Sequence, residues 1–167
     1  MATTTAPTPA QTSEAGTFPL TRILDEGYGP GAWHGADLKA ALADVAEPLA
    51  FWRPGTGRHN IAEIALHHAY YVRSVMGRLT GAEPSPFVFD GEDWFELPNA
   101  RITWSGITSE VENRQRELHD VVTKIQTGRQ DSPLSRPEQF DLVLGLTCHA
   151  VYHAGQIQLI KVLRQSA

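Results

Sequence analysis

Two histidines lie four residues apart in an apolar run near the C-terminus, LVLGLTCHAVYHAGQIQLIKVLR, at 142–164. In an α-helix, residues i and i+4 lie one above the other on the same face. His149 and His153 therefore share a helical stripe with the apolar residues Leu142, Leu146, Ile157 and Ile160. Such a stripe faces the core, where a polar group without a hydrogen-bond partner is costly. A divalent metal would satisfy both imidazoles at once, and this hypothesis requires a third ligand elsewhere in the chain.

Three further helical patterns precede this run, without a strand pattern or an internal repeat. The first, within residues 32–52, has apolar residues at helical spacing, namely Leu38, Leu42, Val45 and Leu49. The second runs from Ile61 to about Leu79, and the third runs from about Thr108 to Gln126. The fourth is the histidine-containing run, which follows a capping-box spacing at Ser135 and Glu138. The sequence therefore predicts an all-α fold, a four-helix bundle.

A long segment at 82–106 separates the second predicted helix from the third. It contains several prolines and five large aromatic residues, Phe87, Phe89, Trp94, Phe95 and Trp104. Connections of this length in compact domains are usually functional or disordered. The aromatic content favours an ordered cover on the bundle, where we expect it to form a wall of the pocket.

Composition restricts the partners and the compartment. Lys+Arg number 14 and Asp+Glu number 19, so the net charge of −5 argues against a nucleic-acid partner. No apolar run reaches the roughly 18–20 residues of a membrane span. The single cysteine, Cys148, excludes an intrachain disulfide and fits a cytoplasmic location; we expect it to be buried and inert. Residues 1–16, rich in Thr, Ala and Pro, predict a disordered leader before one domain at 17–167.

The second predicted helix offers a third metal ligand, because it contains the adjacent pair His67 and His68. Metal sites in helix bundles form from side chains on facing helices. Periodicity does not choose between the two histidines. A lone H-x-x-x-H pair is a weak signal, and core or surface histidines bonded to backbone or water are the alternative. The remaining histidines, His34, His59 and His119, are expected at the surface.

The chain resembles the DinB/YfiT-like family. The resemblance rests on TCHAVYHAGQIQLIKVLR at 147–164, IAEIALHHAYYVRSVMGRLTG at 61–81 and AWHG at 32–35. It implies a four-helix bundle that holds a divalent metal through one histidine of the second helix and two of the fourth. Carried over by position, these ligands are His67, His149 and His153. The resemblance thus prefers His67 to His68.

The resemblance also implies a class of function. Some members are thiol-dependent transferases that use the metal to activate a low-molecular-weight thiol, others resemble metal-dependent hydrolases, and many are stress- or damage-inducible. We therefore expect a homodimeric enzyme that acts on a small molecule, with zinc or nickel as the metal. The alternative is a non-catalytic, metal-stabilised bundle. A general base is not evident, since Glu63 and Tyr152 read more simply as a helix cap and a packed or interfacial tyrosine.

Overall fold

Six helices make up the regular structure of the described residues, 19–91 and 93–165, in a computed structural model of the chain. They are α1 (Leu20–Gly27), α2 (Leu38–Leu42), α3 (Glu47–Ala50), α4 (Ile61–Thr80), α5 (Trp104–Gln126) and α6 (Arg136–Gln165). These residues contain no strand, so the prediction of an all-α chain is confirmed. None of these six helices has the length and the apolar character needed to cross a bilayer. The predicted leader, 1–16, lies outside the described residues.

The long helix α6 packs on most of the other helices. It lies against α4, α1 and α2, and α4 also packs along α5. The predicted stripe of α6 faces inward, with Leu146, His153, Ile157 and Ile160 all buried. The period of the apolar residues therefore identified the inner face of this helix.

The predicted helix within 32–52 is two short helices in the structure. Helix α2 ends at Leu42, and Asp44 adopts a φ of 59°, a left-handed conformation that a continuous α-helix does not contain. Pro48 then occupies the first turn of α3, where proline is tolerated. Leu38 and Val45 are nevertheless buried, because the spacing of apolar residues reports which side faces the core and not whether the helix is continuous.

The buried carboxylate of Glu63, at the start of α4, anchors residues 93–98 of the segment that precedes α5. Asn60 and Glu63 form a capping box, as their spacing predicts. The same Glu63 carboxylate accepts a hydrogen bond from the backbone N–H of Leu97 at 3.2 Å and pairs with Arg53. The side-chain amide of Asn60 donates to the Leu97 carbonyl at 3.1 Å. Residues 93–98 are thereby held against the N-terminal half of α4.

We expect Glu63→Ala to lower the free energy of unfolding by about 2–4 kcal/mol, because it removes a cap and leaves buried donors unpaired. Burial raises the pKa of Glu63, but the hydrogen bonds from Arg53, Leu97 and other donors outweigh it and hold the pKa below its ordinary value. Urea unfolding at pH 7 measures the change. The control is Glu112→Ala, which breaks an exposed pair with Lys39 and should cost less than about 1 kcal/mol. Equal losses for the two variants would contradict the anchoring role of Glu63.

Candidate metal centre

Three imidazole rings from two helices converge at one point between α4 and α6. The Nε2 atom of His149 lies 3.1 Å from Nε2 of His67 and 3.0 Å from Nε2 of His153. His67 and His153 are buried, and His149 is partly buried. One ring nitrogen of each residue lies within 4.8 Å of those of the other two. The structure thus brings together the three residues that the family resemblance implies.

The separations of these nitrogens are close to those in a metal site. A tetrahedral ion with metal–nitrogen bonds of about 2.0–2.1 Å places its ligand atoms about 3.3–3.4 Å apart. The two measured separations, 3.0 and 3.1 Å, are a few tenths of an ångström shorter. Small rotations of the side chains are enough to reach the coordinating geometry.

Hydrogen bonds on the far side of two rings fix the position of their protons. Nδ1 of His67 lies 2.9 Å from the Asp93 carbonyl oxygen, which can only accept, so this nitrogen donates. Nδ1 of His153 donates to the Oε1 atom of Gln156 at 2.7 Å. A neutral imidazole with its proton on Nδ1 has its lone pair on Nε2. Both rings therefore direct a lone pair toward His149.

His149 lies between these two lone pairs. Its Nδ1 atom is buried and has no hydrogen-bond partner within the described residues. In either neutral tautomer, its Nε2 atom donates to at most one of the two nitrogens that face it. In either case at least one of the two facing lone pairs has no donor and meets the His149 nitrogen across about 3 Å, and this contact is repulsive. A cation that accepts the lone pairs removes the repulsion, so the donor set fits a divalent metal held by neutral imidazoles.

His68, the other candidate that periodicity left open, lies outside the cluster of His67, His149 and His153. Its ring is fully buried, and the side-chain amide of Gln115 on α5 donates to its Nε2 atom at 2.5 Å. The ring stacks against that of His149 with centroids 5.7 Å apart. His68 therefore packs against the cluster without contributing a nitrogen to it.

Trp94 covers the cluster from the aromatic segment. Its ring stacks on His67 with centroids 3.8 Å apart and on His59 with centroids 3.6 Å apart, both at an interplanar angle of 9°. His59 is exposed, as expected, and its stack on Trp94 also makes it part of the surroundings of the site. A cavity of about 420 Å³ adjoins this stack and is lined by residues that include Arg53, His59, Glu63 and Trp94.

Comparison with protein families places the chain in a known group. The model of the DinB superfamily matches residues 32–157, a range that includes the three clustered histidines. The chain belongs to the DinB superfamily. A search of curated proteins found no match, and a search of solved structures found none either. The family and the cluster together fit a metal-binding DinB protein.

One expectation about a single residue of this DinB protein is wrong, and three residues that contact the cluster have little or no signal in the sequence. Cys148 is exposed, so the expectation of a buried cysteine is wrong; position 148 falls on the outward side of α6. Asp93 and Trp94 contact the cluster, but no spacing in the sequence identifies them, because they belong to a segment without periodic structure. Gln156 shares the histidine face of α6, and that shared face was the only signal for its contact with His153.

The three rings of the DinB site are uncharged at neutral pH. Burial is the largest cause that lowers the pKa of His149 and that of His153, each to about 4, and neighbouring histidines add to the effect. Burial also lowers the pKa of His67. Metals bind neutral imidazole, so protons compete little with a metal at pH 7.

We predict that the metal-free DinB protein loses stability as the pH falls from about 6.5 toward about 4. The pKa values of His149 and His153 are about 4 in the fold, below the ordinary 6.5. The unfolded chain therefore binds more protons in this range, and stability falls as the pH falls. Urea unfolding of chelator-treated protein at several pH values measures the slope.

A matched pair of variants tests the origin of that slope. His153→Leu should make the slope shallower, because one of the histidines with a lowered pKa is gone. His119→Gln, at an exposed position of α5, should keep the wild-type slope. Equal slopes in all three proteins would contradict the assignment.

Proposed function

We propose that this DinB protein binds one divalent metal through His67, His149 and His153 and uses it to act on a small molecule, by thiol S-transfer or by hydrolysis. The observation that supports it most is the convergence of three Nε2 atoms, at least two of which carry a lone pair toward the same point. Imidazole ligands suit zinc and nickel, which are the proposed metals. When bound, such an ion acts as a Lewis acid that makes water or a low-molecular-weight thiol nucleophilic near neutral pH.

The surrounding residues would orient and shield the site. Asp93 and Gln156 hold the Nδ1 protons of their histidines, and Trp94 covers one face of His67. Tyr71 and Tyr152 are exposed, and their rings lie 5.0 Å from His149 and 5.3 Å from His153. The hydroxyl group of Tyr71 is suited to accept a hydrogen bond from a substrate that approaches from solvent.

We also propose that α1, α4, α5 and α6 together form the four-helix bundle of this family, with residues 82–103 as its aromatic cover. In this arrangement α1 takes the place expected for the first predicted helix. The packing of α1 against both α6 and α5 supports the proposal.

Metal titration tests the proposed ligands. Chelator-treated protein should bind one Zn²⁺ or Ni²⁺ per chain, and His67→Gln, His149→Gln and His153→Gln should each weaken binding by more than about 100-fold. The reason is that loss of a residue that merely supports a ligand already costs about 10–100-fold. His68→Leu, a neighbour outside the cluster, should keep wild-type affinity. Wild-type affinity in the His67 variant together with weak binding in the His68 variant would overturn the assignment.

Activity assays separate an enzyme from a second candidate, a non-catalytic, metal-stabilised protein. The second is favoured by Glu63, whose carboxylate is occupied by Arg53, His59 and backbone donors and is not free to act as a base. Loaded and chelated protein should be compared in thiol conjugation to an electrophile and in hydrolysis of small esters. Turnover that requires metal and disappears in His149→Gln supports the enzyme. A large metal-dependent rise in melting temperature without turnover in either assay supports the alternative.

We further propose a homodimer that buries the outward side of α6. This side carries exposed apolar residues along most of the helix: Phe140, Leu144, Tyr152, Leu159, Val162 and Leu163. Contiguous exposed apolar patches on soluble proteins mark interaction sites. A second copy of the chain, expected from the family, would cover them.

Light scattering after size exclusion at micromolar concentration should give the mass of a dimer. Leu159→Glu places a charge on the proposed interface and should shift the protein to monomer, because an unpaired buried charge is costly. Ser109→Glu adds the same charge at an exposed position of α5 and should leave the mass unchanged. A wild-type monomer would refute the proposal.

A further inference from the structure

We infer that Asp93 is the positioning residue that holds His67 ready for the metal. The inference rests on the proposed metal site. Both the backbone carbonyl oxygen and the Oδ1 atom of Asp93 lie 2.9 Å from Nδ1 of His67. One residue therefore places two oxygens against the ring nitrogen that faces away from the other histidines. With the proton fixed on Nδ1, the lone pair of Nε2 points into the cluster.

The backbone of Asp93 is shaped for this double contact. Its φ is 69°, in the left-handed region, which non-glycine residues rarely adopt and which Asp and Asn tolerate best. Residues kept in such conformations cluster at functional sites, where the surroundings hold them. Here Trp94, the next residue, stacks on His67, and Leu97 is bonded to Glu63. These contacts on the C-terminal side hold Asp93 in place.

The Oδ1 atom of Asp93 is close enough to His67 to attract the positive charge that a bound metal would induce on the ring. The side chain of His67 is 7% exposed, and the Oδ1 atom of Asp93 is itself buried and has no hydrogen bond of good geometry within the described residues. The ring N–H donates to the carbonyl oxygen, and the carboxylate oxygen lies at the same distance from Nδ1 as a nearby negative charge. A cation on Nε2 draws electron density from the ring and makes the Nδ1 proton more positive, so its attraction to the nearby carboxylate becomes stronger. The free energy of that contact then contributes to metal affinity.

The other two histidines have weaker support. His153 donates to Gln156, which is neutral. His149 has no partner for Nδ1 within the described residues. Asp93 therefore supplies the charged support among the contacts described for the three rings, and its removal should affect affinity more than removal of Gln156.

Competition titration against a chromogenic chelator, with Zn²⁺ alone at pH 7, tests the inference. Asp93→Gly keeps the carbonyl and suits the left-handed backbone, but it removes the carboxylate; affinity should fall about 10-fold, at the lower end of the range for residues that support a ligand. Asp93→Asn keeps a side-chain oxygen and should restore part of that loss. The control, Asp90→Gly, removes an equal charge from an exposed position of the same segment and should bind like wild type.

The outcomes separate this inference from the proposed function. The expected order of affinities is wild type, then Asp93→Asn, then Asp93→Gly, with metal-free melting temperatures within a few degrees of one another. Wild-type affinity in Asp93→Gly would overturn the positioning role and leave the three-histidine site intact. A fall in affinity accompanied by an equal fall in the Asp90 control, or by a large drop in metal-free melting temperature, would also overturn it. A wild-type protein that binds no Zn²⁺ would remove the proposed function itself.

Discussion

The geometry of the site depends on a carboxylate that does not belong to it. Glu63 caps α4 and at the same time accepts the backbone N–H of Leu97, so the beginning of one helix and a stretch of irregular chain share an anchor. From Leu97 the chain reaches Trp94 and Asp93, which meet His67 one turn further along α4. A residue that reads as an ordinary helix cap therefore determines where the cover of the cluster lies.

The positions of the imidazole protons determine whether the histidine cluster is favourable. Acceptors fix the protons of His67 and His153 on Nδ1, so both rings direct a lone pair at His149. The His149 ring can donate a hydrogen bond to at most one of them. Burial keeps positive charge off these rings and thereby excludes the simplest relief, an extra proton. This arrangement of lone pairs is unfavourable without a cation and favourable around one. That difference is the physical reason to propose a metal at this site.

The sequence predicted the all-α character of the chain and the three histidines that the structure brings together, but for different reasons. Helical period identified the inner face of α6, and the family resemblance selected His67 where period alone left His68 open. The structure explains that selection, since Gln115 on α5 holds His68 away from the cluster. Period failed where backbone conformation decides, as at Asp44, whose left-handed φ divides a pattern that reads as continuous. Helical period gave no indication of Asp93, because Asp93 and His67 are 26 positions apart and meet only when the chain is folded.

Tyr152 connects two parts of the molecule that were described separately. Its ring is 64% exposed on the outward side of α6, and its hydroxyl oxygen accepts a hydrogen bond at 3.0 Å from Gln156, whose other side-chain atom holds His153. The outer surface of the helix and a ring of the cluster are thus two hydrogen bonds apart. A new neighbour of that phenol can therefore reorient the amide of Gln156 and, with it, the acceptor that holds the Nδ1 proton of His153.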